Sequence, residues 1–109
     1  MKMRKMLAIL VLVLGMTSIC LSAQDTWTRK TNIPTARCNL STSVLDGKIY
    51  AIGGRTGSWP STAATSSAVE VYDPATDTCA SKANMPGPRE GLSTCVVNGK
   101  IYAIGGISR

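Results

Sequence analysis

The chain of 109 residues contains no histidine and no phenylalanine, and only six acidic side chains. Without histidine, neither a Ser-His-Asp nor a Cys-His catalytic arrangement can form within it, and histidine-containing metal sites are excluded as well. Cys38, Cys79 and Cys95 match no zinc-binding spacing. The pair Gly53-Gly54 lacks the lysine and the spacing of a phosphate-binding loop. We therefore predict no catalytic residue, no metal site and no cofactor.

Beyond the first five residues, clusters of basic residues are also lacking, although the formal net charge of the chain is +6. Three of the twelve basic residues lie within the first five positions, so residues 24–109 carry nine basic and six acidic side chains, a net charge of +3. The nine are scattered along the chain, whereas a nucleic-acid-binding surface concentrates them. We expect no nucleic-acid partner.

Long apolar runs are absent except near the N-terminus, where residues 6–14 are uninterrupted and follow Lys2, Arg4 and Lys5. A basic start, a short apolar segment and small or polar residues up to position 23 are typical of a helical secretory signal peptide. We predict that residues 1–23 are removed and that the product is secreted, extracellular or periplasmic, without a stable membrane span. The alternative, a retained anchor, requires roughly 20 apolar residues.

Removal of that segment leaves an odd number of cysteines in a compartment that permits disulfides. Cys38, Cys79 and Cys95 are then expected either as one disulfide with one buried thiol, or as three buried thiols that act as small apolar side chains.

The most informative pattern is an internal repeat. Residues 25–54 align without a gap on residues 77–106, and 18 of the 30 positions are identical. The octapeptide Gly-Lys-Ile-Tyr-Ala-Ile-Gly-Gly ends both copies. Self-similarity at a period of about 50 residues is typical of repeat architectures, whose units bury their apolar sides against one another.

Each copy of the repeat predicts a β-hairpin. In the first copy, residues 40–45 and 48–52 are short runs joined by Asp46-Gly47, a pair that favours a type I′ turn, and Asn98-Gly99 takes its place in the second. The nearly unbroken apolar run of the second strand suits burial on both faces. The glycine pair after it permits a sharp bend or the close approach of a neighbouring segment.

Two further strands complete the repeating unit. Residues 68–72 alternate between apolar and polar, and residues 78–82 form a short fourth strand, of which residues 26–30 are the earlier copy. Between them, Pro74 and Asp73 favour a turn in which the Asp73 carboxylate accepts a backbone hydrogen bond. A calcium site there would need further oxygen ligands that the sequence lacks, so we prefer the turn.

Four short antiparallel strands in a unit of about 50 residues make up the kelch blade. The chain resembles kelch-repeat proteins through its double glycines, the run Val-Glu-Val-Tyr-Asp-Pro-Ala-Thr-Asp-Thr at 69–78, and Trp27 two residues after Asp25. The resemblance implies an all-β fold: an incomplete kelch-type β-propeller of about one and a half repeats over residues 24–109, preceded by the helical signal segment. Cys79 stands where the family has tryptophan, which we expect to leave a space in the blade.

Alternating strand directions predict that residues 55–67 share one face with the connections 33–37 and 85–89. The residues predicted to bind a ligand on this face are Arg55, Ser58, Trp59, Arg37 and Arg89. Arginine and tryptophan dominate binding hot spots, and loops on a rigid scaffold commonly carry function. The alternatives are that Trp59 folds back over the blade edge and that the two repeated arginines, Arg37 and Arg89, have structural roles.

The resemblance implies a non-enzymatic binding or scaffold module that contacts protein or glycan through its loops. Within the family the alternative is part of an exported propeller enzyme, of the copper-dependent galactose oxidase or sialic-acid epimerase type, although oxidase ligands require histidine. Because propellers typically contain four to eight blades, the chain is expected to be a fragment of a larger propeller. Self-association through open blade edges and a truncated product without activity are the remaining alternatives.

Overall fold

The computed structural model describes residues 25–109, so the predicted signal segment of residues 1–23 lies outside the described residues. Eight strands occur in this range: β1 (Ser41–Leu45), β2 (Lys48–Ile52), β3 (Arg55–Thr56), β4 (Ala64–Thr65), β5 (Val69–Asp73), β6 (Thr78–Lys82), β7 (Ser93–Val97) and β8 (Lys100–Ile104). No helix among residues 25–109 is long and apolar enough to span a membrane.

Four of the strands form one antiparallel sheet in the order β1-β2-β5-β6, which we call the first blade. Asp46 and Gly47 join β1 to β2 with φ values of 51° and 72°, as a type I′ turn requires. β5 then lies along the other edge of β2, with Glu70 opposite Ala51. The turn from β5 to β6 contains the predicted hydrogen bond, from the Ala75 N–H to Asp73 Oδ1 at 3.0 Å. The predicted four-stranded blade is confirmed.

The second copy of the repeat forms only a two-stranded unit, β7 and β8, which we call the second hairpin. Its register repeats that of the first, because Ser93 lies opposite Ile104 as Ser41 lies opposite Ile52. Between β3 and β4, residues 57–63 form a turn that projects from the end of the first blade.

The strand predicted for residues 26–30 is wrong, because residues 25–30 lie outside any strand and are exposed. These residues copy β6 in sequence, but β6 is a strand because it pairs with β5. Within the described part of the chain, residues 25–30 have no such neighbour to satisfy their backbone groups. The chain after them is attached at Thr31, whose N–H donates to Asp77 Oδ1 at 3.0 Å and whose hydroxyl donates to the Asp77 carbonyl at 2.8 Å.

The second hairpin lies beside the first blade through the inner strands β7 and β1. Ser43 Oγ donates to Thr94 Oγ1 at 2.7 Å, and Thr94 Oγ1 donates to the Thr42 carbonyl at 3.1 Å. The buried apolar side chains are those of Ala51, Ile52, Val71 and Leu92. The core is therefore small, and it lies in the first blade and at its junction with the second hairpin.

Both expectations for the cysteines are wrong in the described chain. Cys38, Cys79 and Cys95 are all free, and Cys38 and Cys95 are exposed. Cys79 is half-buried on the outer strand β6, with its Sγ 4.0 Å from the Thr31 carbonyl oxygen. Cys38 bridges Arg55, Cys79 lies on β6 and Cys95 lies on β7, so no two of the cysteines lie on paired strands.

Candidate functional site

Arg37, one of the predicted binding residues, has a completely buried side chain. Its Nε donates to the Gly53 carbonyl at 2.7 Å and its Nη2 to the Ala51 carbonyl at 2.9 Å, while Nη1 donates to the Glu70 carboxylate in a buried ion pair. The Thr35 N–H donates to the other Glu70 oxygen at 3.1 Å. The guanidinium therefore connects Gly53, Ala51 and Glu70 within the first blade. This is a structural role, which was the alternative to ligand binding for Arg37.

The same contacts lower the pKa of the Glu70 carboxyl group. Burial raises the pKa of this carboxyl, but the hydrogen bonds from Arg37 and Thr35 and the positive charge of Arg37 outweigh burial. The pKa of Glu70 is consequently held below its ordinary value. The carboxylate is thus ionised at neutral pH and paired within the blade.

Arg89, the repeat counterpart of Arg37, has an exposed side chain. Its Nη1 donates to the Gly105 carbonyl at 2.8 Å, much as Arg37 binds Gly53. Its backbone joins the two repeats, because the carbonyl accepts from the Gly54 N–H at 2.8 Å and the N–H donates to the Ser66 carbonyl at 3.1 Å. The guanidinium is therefore open to solvent while the backbone is held.

The predicted common face is confirmed by backbone hydrogen bonds between its segments. Cys38 and Arg55 exchange two bonds of 3.0 and 2.7 Å, and the Met85 N–H donates to the Ser67 carbonyl at 2.9 Å. We call the surface formed by residues 55–63 and by the connections 33–40 and 83–91 the loop face.

The turn 57–63 is held by its own hydrogen bonds. The Ser58 N–H donates to Thr62 Oγ1 at 2.8 Å, and the Thr62 N–H donates to the Ser58 carbonyl at 3.0 Å. Gly57 has a φ of 78°, and a Cβ at this position would lie 2.0 Å from the Thr62 carbonyl oxygen, so only glycine fits. Ser58 thus acts through its backbone in the turn that presents Trp59.

Trp59 is 70% exposed and does not fold back over the blade. The Arg55 Cζ atom lies 5.9 Å from the centre of the Trp59 ring, within the range of a cation–π contact. Of the predicted binding residues, the structure thus brings Arg55, Ser58 and Trp59 together on the loop face. Arg37 lies apart from them in the blade interior.

Sequence reasoning missed Glu90, which is buried behind Arg55. Its Oε2 lies 3.6 Å from Arg55 Nε, its Oε1 lies 3.4 Å from Arg109 Nε, and Asn39 Nδ2 donates to Oε2 at 3.4 Å. Arg55 Nε and Glu90 Oε1 are buried and form no hydrogen bond within the described chain. The carboxylate thus anchors Arg55 from behind by charge rather than by close hydrogen bonding.

A signal for this pair was present in the repeat. Glu90 aligns with Cys38, and Arg55 aligns with Ile107, so both charges occur where the other copy has an uncharged residue. These positions correspond structurally, because Cys38 bridges Arg55 and Glu90 bridges Ile107. Glu90 and Arg55 carry opposite charges, lie in adjacent units and replace uncharged residues at these bridged positions. Such a pair of charges indicates a contact between the two units.

The architecture defines a class of protein: a β-propeller segment, in which a four-stranded blade is followed by the start of a second and loops gather on one face. A solved structure described as "Structure of YjhT" is similar to it with a TM-score of 0.73 and 25% identity, over 82% of this chain and 26% of that one. The kelch motif model matches residues 36–86 and 88–109. The chain belongs to the kelch motif family.

Curated relatives agree with this assignment. The chain is 33% identical to beta-scruin of Limulus polyphemus over 75% of its length, 37% identical to the kelch-like protein terF of Aspergillus terreus over 76%, and 32% identical to the Kelch-like ECH-associated protein 1B of Danio rerio over 73%. It spans only 8%, 18% and 14% of those proteins, respectively. Kelch repeats commonly act as protein-interaction scaffolds.

Proposed function

We propose that the chain is a secreted, non-enzymatic module that binds a protein ligand through the loop face, with Trp59 and Arg55 as the central contacts. The observation that carries this proposal is the 70% exposure of Trp59 beside the Arg55 guanidinium. An aromatic ring and an arginine in contact are the side chains most enriched in binding hot spots. Together they offer a flat apolar surface and a positive charge.

The support behind these side chains favours binding. Arg55 is held from behind by Glu90, and the backbone of the turn 57–63 is fixed by the two hydrogen bonds between Ser58 and Thr62. Less conformational freedom is then lost when a ligand binds. A carboxylate or an aromatic side chain of a partner protein would match this arrangement, because Arg55 offers charge and hydrogen-bond donors while Trp59 offers a stacking surface.

The geometry of the loop face does not decide between a protein ligand and a glycan. A protein ligand is preferred because of what is known of the chain's relatives. Kelch-repeat relatives bind proteins, and one of them is named Kelch-like ECH-associated protein 1B. A glycan ligand for the loop face is the competing hypothesis, and the experiment below separates the two.

The binding site is tested by selecting ligands from a phage-displayed random peptide library on the full chain. Selected peptides are expected to bind Trp59→Ala about tenfold or more weakly, because loss of a hot-spot aromatic typically costs more than 1 kcal/mol. Trp27→Ala is the matched control, since Trp27 is also fully exposed but lies outside the loop face. Peptides that bind both variants alike, or a glycan-array signal that Trp59→Ala abolishes in their place, would contradict the proposed protein-binding site.

Secretion rests on the predicted signal segment, residues 1–23, and is tested separately. When the full chain is expressed in a secreting host, we expect the product in the exported fraction. Its intact mass should be that of a chain that begins at Gln24. A membrane-bound product that keeps residues 1–23 would show a retained anchor instead.

A further inference from the structure

The turn of the second hairpin is an Asn-Gly pair with the geometry of the Asp46-Gly47 turn in the first blade. The φ values of Asn98 and Gly99 are 49° and 71°, and those of Asp46 and Gly47 are 51° and 72°. All four residues are exposed. The two copies of the repeat therefore present one turn to solvent, with a side-chain amide in the second copy and a carboxylate in the first.

The backbone nitrogen of Gly99, which follows the Asn98 side chain, is unhindered. Among residues 25–109 its N–H donates no hydrogen bond, and no atom lies within 4 Å of the position that a Cβ of Gly99 would take. Glycine also has no side chain of its own that could shield the nitrogen. The nitrogen is therefore free to approach the carbonyl carbon of the Asn98 side chain.

Asn39 shows what the following residue changes. It is also exposed and has a φ of 54°, but it precedes Leu40, whose branched side chain shields the backbone nitrogen. Its Nδ2 donates to Glu90 Oε2 at 3.4 Å. The other two asparagines before Asn98 also precede large apolar residues. Asn98 is therefore the asparagine of this sequence that combines an exposed turn with an unshielded neighbour.

We propose that Asn98 is a site of spontaneous deamidation, by which the second turn acquires the carboxylate that the first turn already has. The Gly99 amide nitrogen gives up its proton and bonds to Asn98 Cγ, and Asn98 Nδ2 leaves with a proton as ammonia. Water then opens the resulting five-membered imide at one of its two carbonyls. Opening at Cγ gives aspartate, whereas opening at the backbone carbonyl gives isoaspartate. The reaction needs water alone and no oxidant.

The two products differ in their effect on the second hairpin. Aspartate fits the turn, because Asp46 has nearly the same φ in the first blade. Isoaspartate lengthens the main chain by one carbon, so a two-residue turn no longer holds Val97 opposite Lys100. In the described chain β8 pairs with β7 alone, and a two-stranded hairpin is only marginally stable. Isoaspartate is therefore expected to loosen β7 and β8 and to leave the first blade intact.

The proposal is tested by incubating the full chain in mildly alkaline buffer enriched in heavy-oxygen water, followed by peptide mapping with mass spectrometry. Asn98 is expected to be lost about tenfold or more faster than Asn39, because an unshielded nitrogen lowers the barrier to attack. Each product should contain one oxygen atom from the solvent, since water opens the imide. An isoaspartyl methyltransferase, which modifies isoaspartate and not aspartate, separates the two products.

Two variants serve as matched controls. Asp46→Asn places an Asn-Gly pair in the first turn, and the new amide is also expected to be lost faster than that of Asn39, because the two turns share their geometry. Asn98→Asp reproduces the aspartate product. Its amide hydrogen exchange across residues 93–104 should match that of the parent chain, whereas the isoaspartyl form should exchange faster there.

Equal rates of loss at Asn98 and Asn39 would overturn the proposal. An inert amide in Asp46→Asn would also contradict it, because the turn would then not be the reactive unit, and so would an unfolded second hairpin in Asn98→Asp. None of these measurements involves the loop face, so they stand or fall independently of ligand binding there.

Discussion

The first blade and the second hairpin contain the same eight residues, Gly-Lys-Ile-Tyr-Ala-Ile-Gly-Gly, in the same register but in different environments. Ala51 and Ile52 are buried in β2, which pairs with β5, whereas Ala103 and Ile104 are exposed. Local sequence is therefore sufficient to form the hairpin. Burial depends on the strand beside it, and the difference between the two units measures what that strand contributes.

Of the two glycines that follow each hairpin, only the first has different surroundings in the two units. Gly54 and Gly106 have equivalent surroundings, because an added Cβ would lie 2.6 Å from the Cys38 carbonyl oxygen in one case and 2.8 Å from the Glu90 carbonyl oxygen in the other. At Gly53 the nearest atom would be the Arg89 carbonyl oxygen at 2.5 Å, whereas nothing lies within 4 Å at Gly105. An added Cβ would thus collide with the hairpin's own unit at the second glycine, and with the next unit at Gly53.

The largest expected difference between the two units comes from their arginines. Arg37→Met should lower the free energy of unfolding by about 3 kcal/mol, because it leaves the Glu70 carboxylate buried without its partner. Arg89→Met should cost less than about 1 kcal/mol, since that side chain is exposed. Urea unfolding followed by circular dichroism measures both. Equal losses would show that the buried pair does not stabilise the first blade.

A smaller difference is expected from the first glycine of each pair. Gly53 and Gly105 have φ values of 64° and 71°, so alanine introduces similar backbone strain at both. Only Gly53→Ala also forces a Cβ against the Arg89 carbonyl, and overpacking of this kind adds about 1–3 kcal/mol. The unfolding temperature of Gly53→Ala should therefore be lower than that of Gly105→Ala. The reverse order would contradict the close approach of the two units.

The pH dependence of stability sharpens the comparison further. Because the folded-state pKa of Glu70 is lowered, its ionised form stabilises the fold fully above its ordinary pKa of 4.5, and this contribution is lost as the pH falls through the lower folded value. Glu70→Gln should therefore flatten the acid side of the stability profile, measured by urea unfolding at a series of pH values. Asp77, whose pKa is lowered by the Thr31 N–H and by Tyr72, remains in both proteins and serves as the internal reference. An unchanged acid slope would contradict the role of the pair.

Local sequence patterns were enough to predict β1, β2, β5 and β6 to within one residue, because turn pairs, apolar runs and apolar–polar alternation are local signals. It failed for residues 26–30, which copy β6 but have no paired neighbour in the described chain. The candidate site was predicted in part. Trp59 and Arg55 are together on the loop face, but Glu90 was missed because it approaches Arg55 from 35 positions along the chain.

By itself the sequence determined where each hairpin turns, which residues form the strands of the first blade, and which segments share the loop face. These properties follow from φ preferences, β-propensity and alternating strand direction, which act over a few residues. Only the tertiary structure decided that Arg37 is buried while Arg89 is open, that Trp59 is exposed, and that Glu90 lies behind Arg55. Each of those outcomes depends on which strand or connection lies alongside, and burial and ion pairing are properties of neighbours rather than of the residue.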